Sequence, residues 1–238
     1  MTRRRWIADE VSGTRAFLVG AHADHLSRVL RAQIGQEFDI TTGDTVHVGR
    51  IVSITPERVE FELGAEIPAP KSVPVTLVLS IFKFDRMEWA IEKCTELGVA
   101  RIVPMVAQRT EVHLATAAVK RVERWRRIAQ QATEQSRRTS PPEILPPMKL
   151  KDAVALAGSL RILLSERETA VMLKSVLQAG SGGGEVVMAL GPEGGWTDEE
   201  MSLFERGGWT AVSLGRTILR AETAAIASLA VVLAELQP

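Results

Sequence analysis

The chain has 238 residues, 45% of them hydrophobic and 24% charged, which is enough to bury one large core or two small ones. Lysine plus arginine (29) balances aspartate plus glutamate (29), so overall charge does not point to a polyanionic partner and any such argument must rest on local patches. No apolar run reaches the ~20 residues that span a bilayer, no apolar core follows the basic start Arg3-Arg-Arg5, and one cysteine, Cys94, precludes an internal disulfide, so a cytoplasmic protein with no membrane partner is expected.

The N-terminal part carries short β-type runs broken by turns. Phe17–Val19 is one strand, Glu37–Thr41 another, and turn residues Gly43-Asp44 precede strands Thr45–Ile54 and Val59–Leu63. One helix is expected over Asp24–Gln33, ended by Gly35. Many short strands with little helix suggest a small β-barrel. His22 and His25 flank Asp24, but no third ligand has metal-site spacing. Capping or RNA contact suits them better, and no metal is expected. Ile67-Pro-Ala-Pro-Lys-Ser-Val-Pro74 has three prolines in eight residues and is the linker candidate, dividing the chain into domains 1–70 and 71–238.

Beyond it, strands and helices alternate. Val75–Ile81 is a largely apolar run, as a strand buried on both faces would be. A helix follows, with Asp85 and Glu88 placed as a capping box, Met87, Ala90, Ile91, Cys94 and Leu97 on one side, and a stop at Gly98. Cys94 is buried filler on that face, not a catalytic thiol. Arg101–Val106 is a strand. A long helix over Thr116–Arg137 buries Val119, Val122, Trp125, Ala129 and Ala132. Arg161–Leu164 is a short strand, and Ser181–Gly184 a flexible loop. Glu185–Leu190 is a buried strand, Thr197–Arg206 a helix with its own capping box at Thr197 and Glu200, Thr210–Leu214 a strand, and Ala221–Leu236 an apolar helix. This alternation implies an α/β fold with a mostly parallel sheet covered on both faces.

Three segments can carry chemistry. Leu190-Gly-Pro-Glu-Gly-Gly-Trp196 joins a buried strand to a capped helix at the strand's carboxyl end, where open α/β sheets bind ligands. It fits a ligand loop and a plain tight turn equally. No Lys-Ser/Thr follows its last glycine, so it is not a phosphate-binding P-loop. Gly180-Ser-Gly-Gly-Gly-Glu185 lacks the last glycine of a dinucleotide fingerprint and precedes a strand instead of following one. Leu214-Gly-Arg-Thr-Ile-Leu-Arg-Ala-Glu-Thr-Ala-Ala225 again joins a strand to a helix, with Arg220 and Glu222 near the helix start. Alone, Glu222 could merely complement the helix dipole. Together, the two loops suggest a shared pocket. Finally, Lys120–Arg138 holds seven positive residues (Lys120, Arg121, Arg124, Arg126, Arg127, Arg137, Arg138) against Glu123 and Glu134. That is a solvated face or a phosphate-binding surface.

Lys83-Phe-Asp-Arg86, Glu92-Lys-Cys-Thr-Glu-Leu-Gly98, Pro104, Arg109, Glu134-Gln-Ser136 and the two glycine loops occur in order, after His22-Ala-Asp-His-Leu-Ser-Arg-Val-Leu-Arg31 and Gly35. This set closely resembles the RsmE family of bacterial 16S rRNA uracil-N3 methyltransferases. Arg137-Arg138 follows Glu134-Gln-Ser136 where the family pattern has Gly-Arg; the cofactor loops are untouched by this departure. The resemblance implies a PUA-like N-terminal RNA-binding domain, a C-terminal SPOUT domain with a trefoil knot, and a homodimer. It implies S-adenosyl-L-methionine as cofactor, held by Ser165, Glu166, Leu190, Gly191, Glu193, Gly194, Gly195, Leu214, Gly215, Leu219, Arg220, Glu222, Thr223 and Ala224. The substrate would be 16S rRNA of the small ribosomal subunit. Arg220 is the expected catalytic cation, and Glu193 or Glu222 the proton acceptor. RNA contacts are expected from Arg3, Arg4, His25, Arg28, Arg31, Lys83, Arg86, Arg109, Arg124, Arg127, Arg137 and Arg138. Three rivals stay open: a SPOUT enzyme acting on a ribose 2′-hydroxyl, a non-enzymatic RNA-binding ribosome-assembly factor, and a nucleotide-binding protein.

Overall fold

A computed structural model describes residues 4–43, 45–67, 74–136, 138–180 and 184–236. The chain divides into two units, Met1–Lys71 with Thr133–Ser140, and Ser72–Ala132 with Pro141–Pro238. The expected linker over residues 68–73, the loop residues 181–183, Arg3 and Arg137 lie outside the described residues.

The first unit contains β1 (Arg5–Ile7), β2 (Glu10–Ser12), β3 (Arg15–Val19), α1 (Ala21–Asp24) running into a π-helical turn (His25–Val29), β4 (Glu37–Thr42), β5 (Thr45–Ile54) and β6 (Arg58–Ile67). The strands form one sheet in the order β1-β4-β5-β6-β3-β2, antiparallel except for β1 beside β4. Alternate residues Ala16 and Leu18, Phe38 and Ile40, Val59 and Phe61 turn inward onto Ala23 and Leu26. The helix expected over Asp24–Gln33 starts and stops earlier: Gly20 (φ 55°) leads into it, and Arg31 leaves it in the left-handed region (φ 50°). β1 and β2 went unseen in the sequence because three-residue strands give periodicity too little length to register.

His22 is the electrostatic centre of this unit. Its Nδ1 lies 2.8 Å from Asp9 Oδ1, its Nε2 lies 3.5 Å from Glu134 Oε1, and its ring packs edge-on to Trp6. Glu134 and Asp9 together raise its pKa from 6.5 to about 9, against the opposing effect of burial. Both ring nitrogens therefore serve a structural clamp.

The second unit alternates as expected: β7 (Val75–Ser80), α2 (Phe84–Leu97), β8 (Arg101–Val106), α3 (Val112–Ser136, its last turn belonging to the first unit), β9 (Glu143–Ile144), β10 (Met148–Lys149), α4 (Leu150–Val154), β11 (Leu160–Leu164), α5 (Leu173–Ala179), β12 (Val186–Leu190), α6 (Asp198–Arg206), β13 (Thr210–Val212) and α7 (Ala221–Leu236). The sheet runs β10-β8-β7-β12-β11-β13, with β9 also on β8, and every pairing is parallel. Alternation splits the strands between two cores. Leu77, Leu79, Ile102, Met188 and Leu190 face one core, shared with α2, α3, α5 and α7. Val78, Val103, Leu163 and Ala189 face the other, around Trp196, Phe204 and Trp209.

Several expectations need correction. Lys83, not Asp85, stands at the start of α2, so the capping box with Glu88 does not form. Glu88 instead accepts from Arg124 at 2.7 and 2.8 Å. Helix α3 begins at Val112, and Val119 is 66% exposed; Leu114, Ala118, Val122, Trp125, Ala129 and Ala132 fill the buried stripe. The short elements α4, α5, β9 and β10 were not expected. Gly98 does end α2 in the left-handed region (φ 114°), and Thr197 and Glu200 do cap α6. Cys94 is 1% exposed and burial pushes its thiol up to about 12, in keeping with a filler role. Among the described residues no helix is long and apolar enough to cross a membrane.

The His22 clamp predicts a pH dependence. Because its folded-state pKa lies above the unfolded value, its stabilisation is fully present below pH 6.5 and fades as pH rises through about 9. His22→Gln should lower the melting temperature by a few degrees at pH 6, of order ~4 °C, and make no difference near pH 10. Thermal unfolding across that range checks it; a pH-independent gap would remove the clamp.

Candidate functional site

Strand register builds the site. Leu164 at the end of β11 pairs with Leu190 of β12 and with Val212 of β13, and Leu190 pairs with Leu79 of β7. The loops after β11, β12 and β13 therefore leave the sheet at one level, at its carboxyl edge.

Buried contacts fix each loop. After β12, Gly195 donates to Pro192 O at 2.9 Å and adopts φ 70°. Trp196 tucks beneath, 2% exposed, and its Nε1 donates to Leu164 O at 2.8 Å. At Gly191 an added Cβ would lie 3.2 Å from the Trp196 ring, a tight contact that the absent side chain avoids. The fully buried Glu200 accepts from Thr197 N at 2.9 Å and Gln108 N at 2.8 Å, tying this loop to the one after β8. Arg109 adds a hydrogen bond to Gly194 O. After β13, Ser213 Oγ accepts from Gly215 N at 3.2 Å, and Gly215 takes φ 139°. After β11, Ser165 N donates to Val212 O at 3.1 Å.

Between these loops lies a cavity of about 490 Å³, within the size range of small-molecule sites. Ser165, Glu166, Leu190, Gly191, Glu193, Gly194, Gly195, Leu214, Gly215, Leu219, Arg220 and Ala224 line it, as a shared pocket requires. Glu222 and Thr223 do not: in the first turn of α7 it is Ala221 and Ala224, three apart, that share the cavity face. Arg86, expected among RNA contacts, lies on the cavity wall. Its Nη1 donates to Glu193 Oε1 at 3.0 Å, and its Nε lies 3.8 Å from Glu222 Oε1. Arg220 also lines the cavity and, among the described residues, makes no ion pair. The wall thus combines leucine side chains, exposed main chain, two carboxylates (Glu166 and Glu193) and two guanidinium groups.

Residues 69–233 match the family model of the RNA methyltransferase domain. Ribosomal RNA small subunit methyltransferase E from Synechocystis is 34% identical over 227 residues, covering 90% of this chain and 71% of that protein. The protein of that name from Mycobacterium bovis is 31% identical over 235 residues, covering 93% of this chain and 87% of that protein. The chain belongs to the ribosomal RNA small subunit methyltransferase E family. A crystal structure of the Neisseria gonorrhoeae member bound to S-adenosyl methionine superposes with a TM-score of 0.83 at 29% identity, covering 96% of this chain and 95% of that one.

The basic residues expected to meet RNA divide into groups. In the first unit Arg4, His25, Arg28 and Arg31 are exposed, and Arg28 pairs with Asp24 at 2.9 Å. Arg138, half-buried, has its pKa lowered by desolvation. In the second unit Lys83, Arg109, Arg124 and Arg127 are exposed. Arg124 and Arg109 are already engaged, by Glu88 and by Gly194 O. Arg86, Trp196, Gln108 and Glu200 were not foreseen as site-building residues. Glu200 was visible only as a cap, and no local pattern reports the sheet order β8-β7-β12.

Gly195→Ala tests the loop. The new Cβ would sit 2.4 Å from Glu166 Oε1. That carboxylate can swing away, but the left-handed backbone remains, at a cost of about 1–2 kcal/mol. Chemical denaturation should show that loss. Unchanged stability would mean the turn relaxes out of φ 70° without cost.

Proposed function

We propose that this protein methylates N3 of a uridine in 16S rRNA of the small ribosomal subunit, using S-adenosyl-L-methionine. The observation that carries this reading is the cavity between two glycine turns with an uncompensated guanidinium, Arg220, on its wall. The residues present suit that cofactor. Leu164, Leu190, Val212, Leu214 and Leu219 offer apolar surface for an adenosine, the turns offer main-chain groups, and Glu166 and Glu193 offer negative charge for a cationic ligand. Family membership further supports a SPOUT domain whose loops 191–196 and 215–220 form a trefoil knot, a PUA-like first unit that binds RNA, a homodimer, and action in the cytoplasm where ribosomes are built.

When bound, the cofactor supplies a methyl group on a sulfonium, which leaves sulfur as the N3–carbon bond forms while the carbon–sulfur electron pair stays on sulfur. The residues have two tasks. N3 of uracil carries a proton and is a poor nucleophile until that proton leaves. Glu193, on the cavity wall, is the acceptor the geometry favours; Glu222 is buried behind the wall. Arg220 stabilises the negative charge that develops on O2 or O4 as the proton departs. The main chain of the two turns would hold the donor, so that alignment would supply much of the acceleration. N3 lies inside a Watson–Crick pair, so the target uridine must be unpaired or splayed out.

Mass spectrometry of small-subunit rRNA from cells with and without the gene should show 3-methyluridine lost in the deletion. A modified ribose instead would favour the 2′-hydroxyl reading. Arg220→Ala should keep cofactor affinity within about threefold while turnover falls by about 10²–10³-fold, the scale of losing one charge-stabilising group. Retained turnover would remove Arg220 from that role. In RNA binding, Arg127→Ala should lower the salt slope by about one. Arg124→Ala should change it less, because Glu88 already neutralises that side chain. Equal slopes for wild type and Arg127→Ala would leave that face of α3 merely solvated.

A further inference from the structure

Three elements converge on Arg86. It stands in the first turn of α2, just beyond the end of β7, and reaches the cavity wall. One contact joins it to Glu193 on the loop after β12, at 3.0 Å; the other faces Glu222 in the first turn of α7, at 3.8 Å. The two carboxylates sit in different surroundings. The Glu193 side chain is 34% exposed, whereas that of Glu222 is 7% exposed, and Glu222 Oε2 is buried with no hydrogen-bond partner. A buried carboxylate with an unmade hydrogen bond persists beside a cation that compensates it, and Arg86 is the cation in contact.

This arrangement argues against a phosphate-binding role for Arg86. One guanidinium and two carboxylates sum to a local charge of about −1, which repels a phosphate. It argues equally against direct chemistry by Glu222, which does not reach the cavity wall. Glu193, by contrast, hangs from a glycine turn, and its half-exposed side chain would sample several rotamers if nothing held it. We propose that Arg86 is a positioning residue of the transfer reaction: anchored from behind by Glu222, it holds the Glu193 carboxylate in place at the cavity wall to receive the uracil N3 proton. The Glu193–Arg86–Glu222 chain is thus one unit spanning β7–α2, β12–α6 and α7. This inference rests on the functional reading above and adds a division of labour to it: Arg220 faces the reacting base, and Arg86 faces the acceptor.

The test uses the full-length protein, tritiated S-adenosylmethionine and small-subunit RNA, with Arg86→Gln, Arg86→Lys, Glu222→Gln and the Arg86→Gln/Glu222→Gln pair. Circular dichroism and calorimetric S-adenosylmethionine binding check that each variant is folded. Arg86→Gln should lower kcat about 10²-fold, as misplacement of a reacting group by about 1 Å does, with cofactor Kd and RNA KM within about threefold of wild type. Arg86→Lys, which retains charge but not the fork, should recover part of that loss. Glu222→Gln should lower kcat too, and the double variant should fall no more than about twofold below Arg86→Gln, because the residues act as one chain. Retained kcat in Arg86→Gln, a raised RNA KM with kcat unchanged, or additive losses in the double variant would each overturn the proposal. If Arg86→Gln misfolds, full activity in a folded Arg86→Lys with Glu222→Gln also unimpaired would overturn it as well. Wild-type product labelled at another atom would defeat the uridine N3 reading alone; the Arg86 comparison is then decided by the same kcat ratio on that product.

Discussion

One constraint underlies the site: the parallel register that aligns Leu79, Leu190, Leu164 and Val212 on four neighbouring strands. Because those residues are level, the segments after them emerge together, and short loops suffice to enclose a cavity. The register in turn rests on apolar strands buried on both faces. A one-residue slip would move every β12 side chain to the opposite core. Trp196 closes the arrangement by filling the second core and donating to the carbonyl at the end of β11. A packing residue thereby holds two of the functional loops together.

On this frame the charges divide into compensated and uncompensated groups, and that division assigns their roles better than sequence position does. Arg124 and Arg121 belong to Glu88, Arg167 to Asp198, and Arg86 to Glu193 and Glu222. Arg220 and Arg127 have no such partner among the described residues. A guanidinium already satisfied by carboxylates serves architecture or positioning; one left free can meet a developing oxyanion or a phosphate. The formal net charge of zero means that carboxylates and basic side chains are present in equal number, so such pairing does not depend on an external counter-charge.

Much of this was legible in the sequence where local physics dominates. Continuous apolar runs marked β7 and β12, the Thr197–Glu200 box marked α6, and Gly98 marked the end of α2, because each depends on residues a few positions apart. The shared cavity followed from the two glycine-bearing strand ends, while Gly191, Glu193, Gly195, Gly215 and Arg220 as its contact residues were implied by the family resemblance. What failed was non-local. Asp85 and Glu88 have capping-box spacing, yet Lys83 starts the helix and Glu88 answers arginines a helix away. Val119 fits the apolar stripe by type, but the register of α3 places Ala118 inward. Arg86 looked like one more basic residue, since only the sheet order brings β7 beside β12. Glu222 looked like a pocket residue, and the turn of α7 puts it behind the wall.

The account stands on the cavity between the turns at 191–195 and 214–219 being the seat of the methyl donor. A crystal structure of this protein grown with S-adenosylmethionine tests that most directly. The donor should lie against the main chain of both turns, in the cavity that Glu193 and Arg220 line. Density for the donor at any other place on the chain, or crystals and titrations that show no uptake at millimolar donor, would contradict it.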